Sequence, residues 1–144
     1  MMNSVYTKIG LHKKEGKKCL AVLVDPDKTS PAQCILLAQE ASVSGVDFFF
    51  VGSSILRQNH LQTCVETLKK TSDVPVILFP GNIMQVSNDA DAILFLSLIS
   101  GRNPELLIGN HVLIAPMIKA SKLEVIPTGY MLIDSGAPTS ASYM

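Results

Sequence analysis

Short, nearly unbroken apolar runs recur along the chain and alternate with segments in which apolar and polar positions mix. Runs of this kind are typical of strands that are buried on both faces of a sheet. Four of them are followed by turn residues, and a fifth is interrupted by Pro127 and Gly129. We therefore predict five strands, at residues 19–24, 46–51, 74–79, 92–96 and 123–133.

Amphipathic segments with helix start and stop signals separate most of these runs. The first is expected at residues 31–43, before Gly45, and the second at residues 60–70, where two lysines suit the negative end of the helix dipole. Residues 83–91 leave room for two helical turns at most, whereas Asn103-Pro104-Glu105 predicts a long helix to about residue 119. Strands and helices in this alternating order predict a parallel sheet.

Size and composition narrow the class of protein. The 144 residues are 47% hydrophobic with a mean hydropathy of +0.32, so the chain can bury a core. The formal net charge is zero and no basic run stands out, which argues against nucleic-acid binding and favours a small-molecule partner. The N-terminal segment lacks the apolar core of a signal peptide, and no run reaches the ~18 residues of a membrane span, so we predict a cytoplasmic protein.

The three cysteines are predicted to be buried thiols, and the three histidines show no ligand spacing.

Polar and turn residues collect directly after the predicted strands, at the edge where parallel α/β proteins carry their chemistry. The most informative group is Asp25-Pro26-Asp27-Lys28, after the first strand. Two carboxylates and an ammonium there can hold a hard divalent cation such as Mg²⁺ and the anion that it carries. A solvated loop before a helix capped by Ser30 explains the same residues.

The repeat of roughly 20 to 30 residues per strand and helix is that of a (β/α) barrel, which needs eight strands and typically ~250 residues. This chain ends just after the fifth predicted strand. We therefore expect an α/β fold of the parallel (β/α) TIM-barrel type, truncated after the fifth strand. Residues 1–144 would be the N-terminal part of a single, incomplete (β/α)8 barrel domain.

From about residue 17 to residue 144 the chain resembles the family of geranylgeranylglyceryl phosphate and heptaprenylglyceryl phosphate synthases. Five segments in order carry the resemblance: LVDPDK at 23–28, GVDFFFVGSS at 45–54, PVILFPGN at 75–82, FLSLISGRNPELLIGNHV at 95–112 and EVIPTGYMLIDSG at 124–136. The resemblance implies a (β/α) barrel prenyltransferase. Such an enzyme moves a long prenyl group, geranylgeranyl in the first instance, from its diphosphate to the 3-hydroxyl of sn-glycerol 1-phosphate in ether phospholipid synthesis.

The resemblance also implies a magnesium site in which Asp25 is a ligand and Ser54 its partner, while Ser53 replaces a glycine common in the family. The glycine-rich loops and the Tyr-Leu-Glu segment with which the family holds glycerol phosphate do not occur here. We therefore expect that site to lie beyond residue 144 and this chain to be inactive alone. The complete protein would form a homo-oligomer.

Three more residues are candidate substrate contacts, each with a structural alternative. Lys28 and Arg102 would meet diphosphate oxygens or simply be solvated in their loops, and Tyr130 would bind a phosphate through its phenol or pack as a buried aromatic. A set of large apolar side chains is expected to form ordinary core or to line a channel for the prenyl chain: Phe48, Phe49, Phe50, Phe79, Phe95, Leu96 and Leu98.

Three other functions stay open on the sequence. A five-stranded signalling receiver also binds magnesium at the end of its first strand, but it needs an aspartate after its third, where Phe79-Pro80-Gly81-Asn82 offers none. Another phosphate-handling (β/α) barrel enzyme should show a lysine or an acid as base at several strand ends. The chain can also be a folding or assembly remnant.

Overall fold

The computed structural model describes residues 4–54, 60–82, 85–133 and 136. Five parallel strands pair in chain order, β1 to β5, and helices alternate with them. The strands are β1 (Ala21–Val24), β2 (Phe48–Val51), β3 (Val76–Leu78), β4 (Ala92–Leu98) and β5 (Glu124–Tyr130). The helices are α1 (Val5–Lys14), α2 (Pro31–Ser44), α3 (Leu61–Thr71) and α4 (Asn110–Ala120), and a π-helical segment (Glu105–Gly109) precedes α4. The predicted parallel sheet of five strands is confirmed.

The central strands β2 and β3 bury apolar side chains on both faces, which explains why they are apolar throughout, whereas the outer strands β1 and β5 expose Leu23 and Val125. Successive residues of a strand point to opposite faces, so Phe49 and Val51 join a core with α2 and α3, while Phe48 lies in a second core with Ile77 and Leu94. Helix α1 contributes Val5 to that second core. Helix α1, which the apolar pattern does not predict, therefore packs on the face of the sheet that carries Phe48.

Helix α2 begins and ends where the local sequence predicts. The Ser30 hydroxyl accepts a hydrogen bond from the Gln33 amide, and the Gln33 side chain accepts one from the Ser30 amide at 2.8 Å. Pro31 occupies the first turn, and Gly45 ends the helix with φ 71°, in the left-handed region. Helix α3 starts one residue later than predicted and packs its apolar side chains into the core.

Helix α1 is held at its N-terminus by a residue of the last strand. The Glu124 carboxylate accepts hydrogen bonds from the Ser4 hydroxyl at 2.5 Å and from the Val5 and Tyr6 amides at 2.6 and 3.1 Å. A carboxylate in this position satisfies free amides of the first turn and favours the positive end of the helix dipole. The helix therefore depends on a contact between residues 119 positions apart, which no local pattern reports.

The predicted continuous helix from Asn103 to about residue 119 is wrong in one respect. Its start is marked as expected, because the Asn103 side chain accepts a hydrogen bond from the Glu105 amide at 3.0 Å. The first turns, however, form the π-helical segment, and only Asn110–Ala120 is α-helical. Gly109 faces the Glu105 carboxyl so closely that a Cβ there would clash with it.

The predicted burial of the cysteines is confirmed for two of the three. Cys34 and Cys64 are buried with their sulfurs 3.5 Å apart, and burial raises the pKa of both thiols. The prediction is wrong for Cys19, which is exposed, as are Leu20 beside it and Ala21 and Leu23 of the outer strand β1. None of the helices within the described residues is long and apolar enough to cross a membrane.

Asp47 fixes the segment between α1 and β1. Its carboxylate accepts hydrogen bonds from the Leu20 amide at 2.9 Å and from the Lys17 ammonium at 3.1 Å, and only 7% of the residue is exposed. The Leu20 amide first, and the Lys17 charge after it, hold the pKa of Asp47 below its ordinary value against the opposing effect of burial.

This lowered pKa predicts how stability depends on pH. A carboxyl that binds its proton less tightly when folded stabilises the protein above its unfolded pKa of about 3.9, and the contribution is lost as the pH falls through the folded pKa. Asp47→Asn should therefore lose less unfolding free energy between about pH 5 and pH 3 than the unchanged chain does. Urea unfolding at each pH tests this, with exposed Glu40→Gln as the control; parallel curves for Asp47→Asn and the unchanged chain would contradict it.

Candidate functional site

The loop after β1 is organised around the Asp25 carboxylate. One oxygen accepts a hydrogen bond from the Asp27 amide at 3.0 Å, and the other lies 3.1 Å from the Lys28 ammonium. The Lys28 amide also donates to the Asp25 carbonyl at 3.1 Å, which closes a turn. The Asp25 side chain is 22% exposed and that of Lys28 82% exposed. The Asp25 carboxylate is thus held by two contacts, whereas the exposed Lys28 side chain is held only through its ammonium.

The loop after β2 meets this carboxylate through Ser53, and the role of Ser54 as a magnesium ligand beside Asp25 stays a prediction. The Ser53 hydroxyl donates to Asp25 at 3.3 Å, so Ser53 is the direct neighbour of the carboxylate. Ser54 follows it, half-buried, and both serines line the same cavity. The residue that replaces a common glycine therefore takes part in the site.

Two glycines allow the loops after β2 and β3 to lie against each other. A Cβ on Gly81 would lie 2.7 Å from the Ser54 Cα, and one on Gly52 would lie 2.7 Å from the Phe79 carbonyl carbon. Real Cβ atoms do not approach other atoms so closely, so any side chain at either position must displace backbone. The position of the two serines thus depends on bare backbone at Gly52 and Gly81.

Gln85 also reaches the Ser53 backbone and was not recognised from the sequence. Its side-chain oxygen accepts from the Ser53 amide at 3.0 Å, and its nitrogen donates to the Ser53 carbonyl at 2.5 Å. The residue is 1% exposed. Residues 83–91 were expected to hold up to two helical turns, but the described residues 85–91 contain no helix. The sequence offered only a glutamine in a short polar segment, because its burial is seen only in the structure.

An apolar cavity of about 270 Å³ opens from these loops. Its polar end is formed by Gly52, Ser53, Ser54, Gly81 and Asn82, and most of the remaining wall is apolar. Strands β3 and β4 pair at only two positions, Ile77 with Ala92 and Leu78 with Ile93. Beyond them the cavity is lined by Phe79 of one strand end and by Leu94, Phe95, Leu96 and Leu98 of the other strand.

The cavity divides the predicted channel residues into two groups. Phe79, Phe95, Leu96 and Leu98 line it, whereas Phe48 and Phe49 are buried in the cores and Phe50 packs against Phe79 with ring centroids 5.9 Å apart. Near the far wall, His111 stacks on the Phe95 ring at 4.0 Å and its Nε2 donates to the Leu96 carbonyl at 2.6 Å.

The remaining candidate contacts differ in position. Tyr130 ends β5, lines the cavity and meets Phe79 edge-on at 5.7 Å between ring centroids. Arg102 is exposed in the loop after β4 and does not line the cavity. The structure thus brings Asp25, Lys28 and the serines together, places Tyr130 at the cavity, and leaves Arg102 outside it.

A second cluster lies at the opposite end of the strands and corrects the expectation that no histidine has ligand spacing. His12 Nδ1 is 3.0 Å from Cys19 Sγ and 3.8 Å from an Asp47 oxygen, and the three donor atoms lie within 4.8 Å of one another. Lys17 and the Leu20 amide already occupy that carboxylate. We assign no cation to this cluster.

The oxygen atoms at and beside Asp25 are of the type that Mg²⁺ takes as ligands. Mg²⁺ prefers oxygen ligands, takes one or two protein carboxylates, and completes its shell with water and phosphate. The hydroxyls of Ser53 and Ser54 line the cavity, and the Asp25 carboxylate does not line it but accepts a hydrogen bond from the Ser53 hydroxyl.

A five-stranded parallel sheet with polar loops at the carboxyl ends of its strands defines a protein of the (β/α) barrel type. Comparison with known proteins makes this specific: residues 13–142 match the PcrB family, and the chain belongs to that family. It is 54% identical over 144 residues to a geranylgeranylglyceryl phosphate synthase of Chitinophaga pinensis and 42% identical over 142 residues to that of Flavobacterium johnsoniae. The resemblance inferred from the sequence is confirmed.

Solved structures agree with the fold. The synthase of Thermoplasma acidophilum, determined in complex with its substrate sn-glycerol-1-phosphate, superposes with a TM-score of 0.86 at 34% identity. That match covers 94% of this chain but 55% of the other. The chain also spans 57% of the C. pinensis relative and 58% of the F. johnsoniae relative. The assignment of residues 1–144 to the first part of one barrel domain stays a prediction.

The glycine contacts lead to a direct test. Gly81→Ala should displace the two serines, shift the Ser53 and Ser54 amide resonances and lower the melting temperature. Gly10→Ala is the matched control, because a Cβ there meets nothing within 4 Å and alanine favours helix α1 by roughly 0.5–1 kcal/mol over glycine. Unchanged Ser53 and Ser54 resonances in Gly81→Ala would show that the contact does not position the loop.

Proposed function

We propose that this chain carries the prenyl diphosphate half of a prenyltransferase that joins a geranylgeranyl group to the 3-hydroxyl of sn-glycerol 1-phosphate. The observation that carries the proposal is that Ser53, which lines an apolar cavity of about 270 Å³, also donates a hydrogen bond to Asp25, so that the charged loop after β1 adjoins the cavity. A prenyl diphosphate has the same two parts, an anionic head and a long apolar chain. The names of the relatives, and the glycerol phosphate in the T. acidophilum structure, support the reaction.

In this reaction the bond between the prenyl C1 and the diphosphate oxygen breaks, and the diphosphate leaves with the electron pair. The acceptor oxygen forms the new ether bond to C1 and loses its proton. Mg²⁺ held at Asp25 and Ser54 would offset the negative charge that develops on the diphosphate.

The residues of this chain have separate tasks in that step. Asp25 is held by the Asp27 amide and the Ser53 hydroxyl, so its carboxylate is oriented before any ligand arrives. Lys28 can turn its ammonium to a diphosphate oxygen, because its side chain is mostly exposed. Phe79, Leu96 and Leu98 would contact the prenyl chain, and the Tyr130 phenol would donate to a phosphate at the cavity.

The sheet topology argues against the signalling receiver. Doubly wound proteins of that class place their strands in the order 2-1-3-4-5, whereas the strands here are ordered 1-2-3-4-5. The four residues directly after β3, Phe79-Pro80-Gly81-Asn82, also offer no aspartate as phosphate acceptor. The barrel-type order instead agrees with a synthase.

Turnover is expected to need more chain than these 144 residues, since the relatives are longer. Positioning two substrates together can supply ~7–11 kcal/mol of a barrier. We would incubate the chain with Mg²⁺, labelled sn-glycerol 1-phosphate and geranylgeranyl diphosphate, alone and with the separately produced remaining part of the C. pinensis relative. Ether product only in the mixture is the expected result, and product from the chain alone would disprove this dependence.

In the active mixture, Asp25→Asn should lower turnover by about a hundredfold or more, because a neutral amide neither offsets nor binds the cation comparably. Ser54→Ala should cost less, since it removes one neutral donor. Asp73→Asn, at an exposed position before β3, is the matched control for the same chemical change. Near-normal turnover of Asp25→Asn at limiting Mg²⁺ would refute the site.

A further inference from the structure

We propose that Gln85 is a positioning residue, which fixes the backbone of Ser53 and thereby the geometry of Asp25, Ser53 and Ser54 toward the magnesium-bound diphosphate. This inference rests on the proposed function, because it assigns a role within the same site. It concerns a residue outside the loops that directly follow β1 and β2.

The contact is a two-point clamp on one residue. The side-chain amide of Gln85 accepts from the Ser53 N–H at 3.0 Å and donates to the Ser53 carbonyl at 2.5 Å. A planar amide that bonds both backbone groups of one residue restrains its position and its orientation together. Since Gln85 is 1% exposed, water does not compete for these bonds.

The clamp acts where strand pairing stops. The register of β2 with β3 ends at Val51 and Leu78, and the adjoining bonds are those from Phe79 N–H to Val51 at 2.9 Å and from Gly52 N–H to Val24 at 3.2 Å. Ser53 lies just beyond them. The Gln85 side chain therefore extends the hydrogen bonding of β2 by one residue. In this way it holds the two serines beside the loop that carries Asp25.

The effect of the clamp reaches the carboxylate through one hydrogen bond. The Ser53 hydroxyl lies 3.3 Å from Asp25, a distance that a small rotation of the Ser53 backbone would lengthen beyond bonding range. Ser54 follows directly and packs against Gly81. Displacement of Ser53 should thus disturb both proposed ligands.

General anchoring of the segment between β3 and β4 does not require Gln85. The Ser87 hydroxyl donates to the Gln62 side chain of α3 at 2.7 Å, and Asp91 bonds the Val76 amide at 2.8 Å. These contacts tie the segment to the fold near Gln85 without touching the site. Gln62→Leu is therefore the control. It removes the same kind of side-chain amide, one that bonds Ser87, which lies two positions after Gln85 in the chain.

The experiment compares Gln85→Leu, Gln62→Leu and the unchanged 144-residue chain. Hydrogen exchange of the Ser53 amide reports the clamp without any ligand, and calorimetric titration with Mg²⁺ and inorganic pyrophosphate reports the site. Gln85→Leu should speed Ser53 exchange and weaken pyrophosphate binding about tenfold or more, whereas Gln62→Leu should stay within about twofold.

A third variant keeps the proposal testable if Gln85→Leu fails to fold. In Gln85→Glu the introduced carboxyl has the shape of the amide and can donate to the Ser53 carbonyl only when protonated, so binding relative to the unchanged chain should recover toward acid pH. Within the described residues, Asp25 bonds the Ser53 hydroxyl and Lys28 pairs with Asp25, and comparison with the unchanged chain at each pH accounts for these charges.

The outcomes separate the two proposals. No pyrophosphate binding by the unchanged chain would overturn the proposed function and the role of Gln85 with it. Normal binding by the unchanged chain and by Gln85→Leu would overturn only the role of Gln85, as would equal losses in Gln85→Leu and Gln62→Leu. A selective loss in Gln85→Leu, together with faster Ser53 exchange, would support it.

Discussion

The burial of both faces of a parallel sheet is the constraint on which the rest of this molecule depends. In the central strands β2 and β3, residues of α2 and α3 cover one face and a second core that includes Val5 of α1 covers the other, so these strands are apolar along their length. Polar side chains of these strands can then appear only where the strands end. Asp25, Ser53 and Gly81 follow three neighbouring strands, and the parallel direction of those strands brings their loops to one edge.

The sequence was informative where the cause of a structure is local. The capping residues around α2 and the apolar runs of the strands act within a few positions, and they predicted the sheet and most helices. Long-range contacts were not accessible in this way: α1 depends on Glu124, and the place of Ser53 depends on Gln85. The pairing of Ser54 with Asp25 as magnesium ligands came from family resemblance and stays a prediction. The hydrogen bond from Ser53 to Asp25 was not predicted, because it depends on how the backbone turns after β2, where Gln85 and the close glycines contact it.

The ion pair of Asp25 and Lys28 can open at little cost, so that a metal cation can replace the ammonium at the carboxylate. Exposed ion pairs contribute only about 0–1 kcal/mol, and the Lys28 side chain is 82% exposed, so separating the pair costs little. In the absence of a ligand the ammonium balances the carboxylate. Under the proposed function, a cation that arrives with a diphosphate would give the same ammonium an anion to pair with. Lys28 would then have a negatively charged partner both before and after the ligand binds.

The segment between β3 and β4 links the two ends of the candidate site. Gln85 holds Ser53 at the polar end, and its neighbour Val86 lines the apolar cavity and packs on the core beside the helices. Because β3 and β4 pair at only two positions, the space between them depends on how this segment is anchored. A shift of the segment would move the clamp and the cavity wall together. The anionic head and the apolar chain of a bound ligand would therefore be positioned by one stretch of backbone rather than by two independent loops.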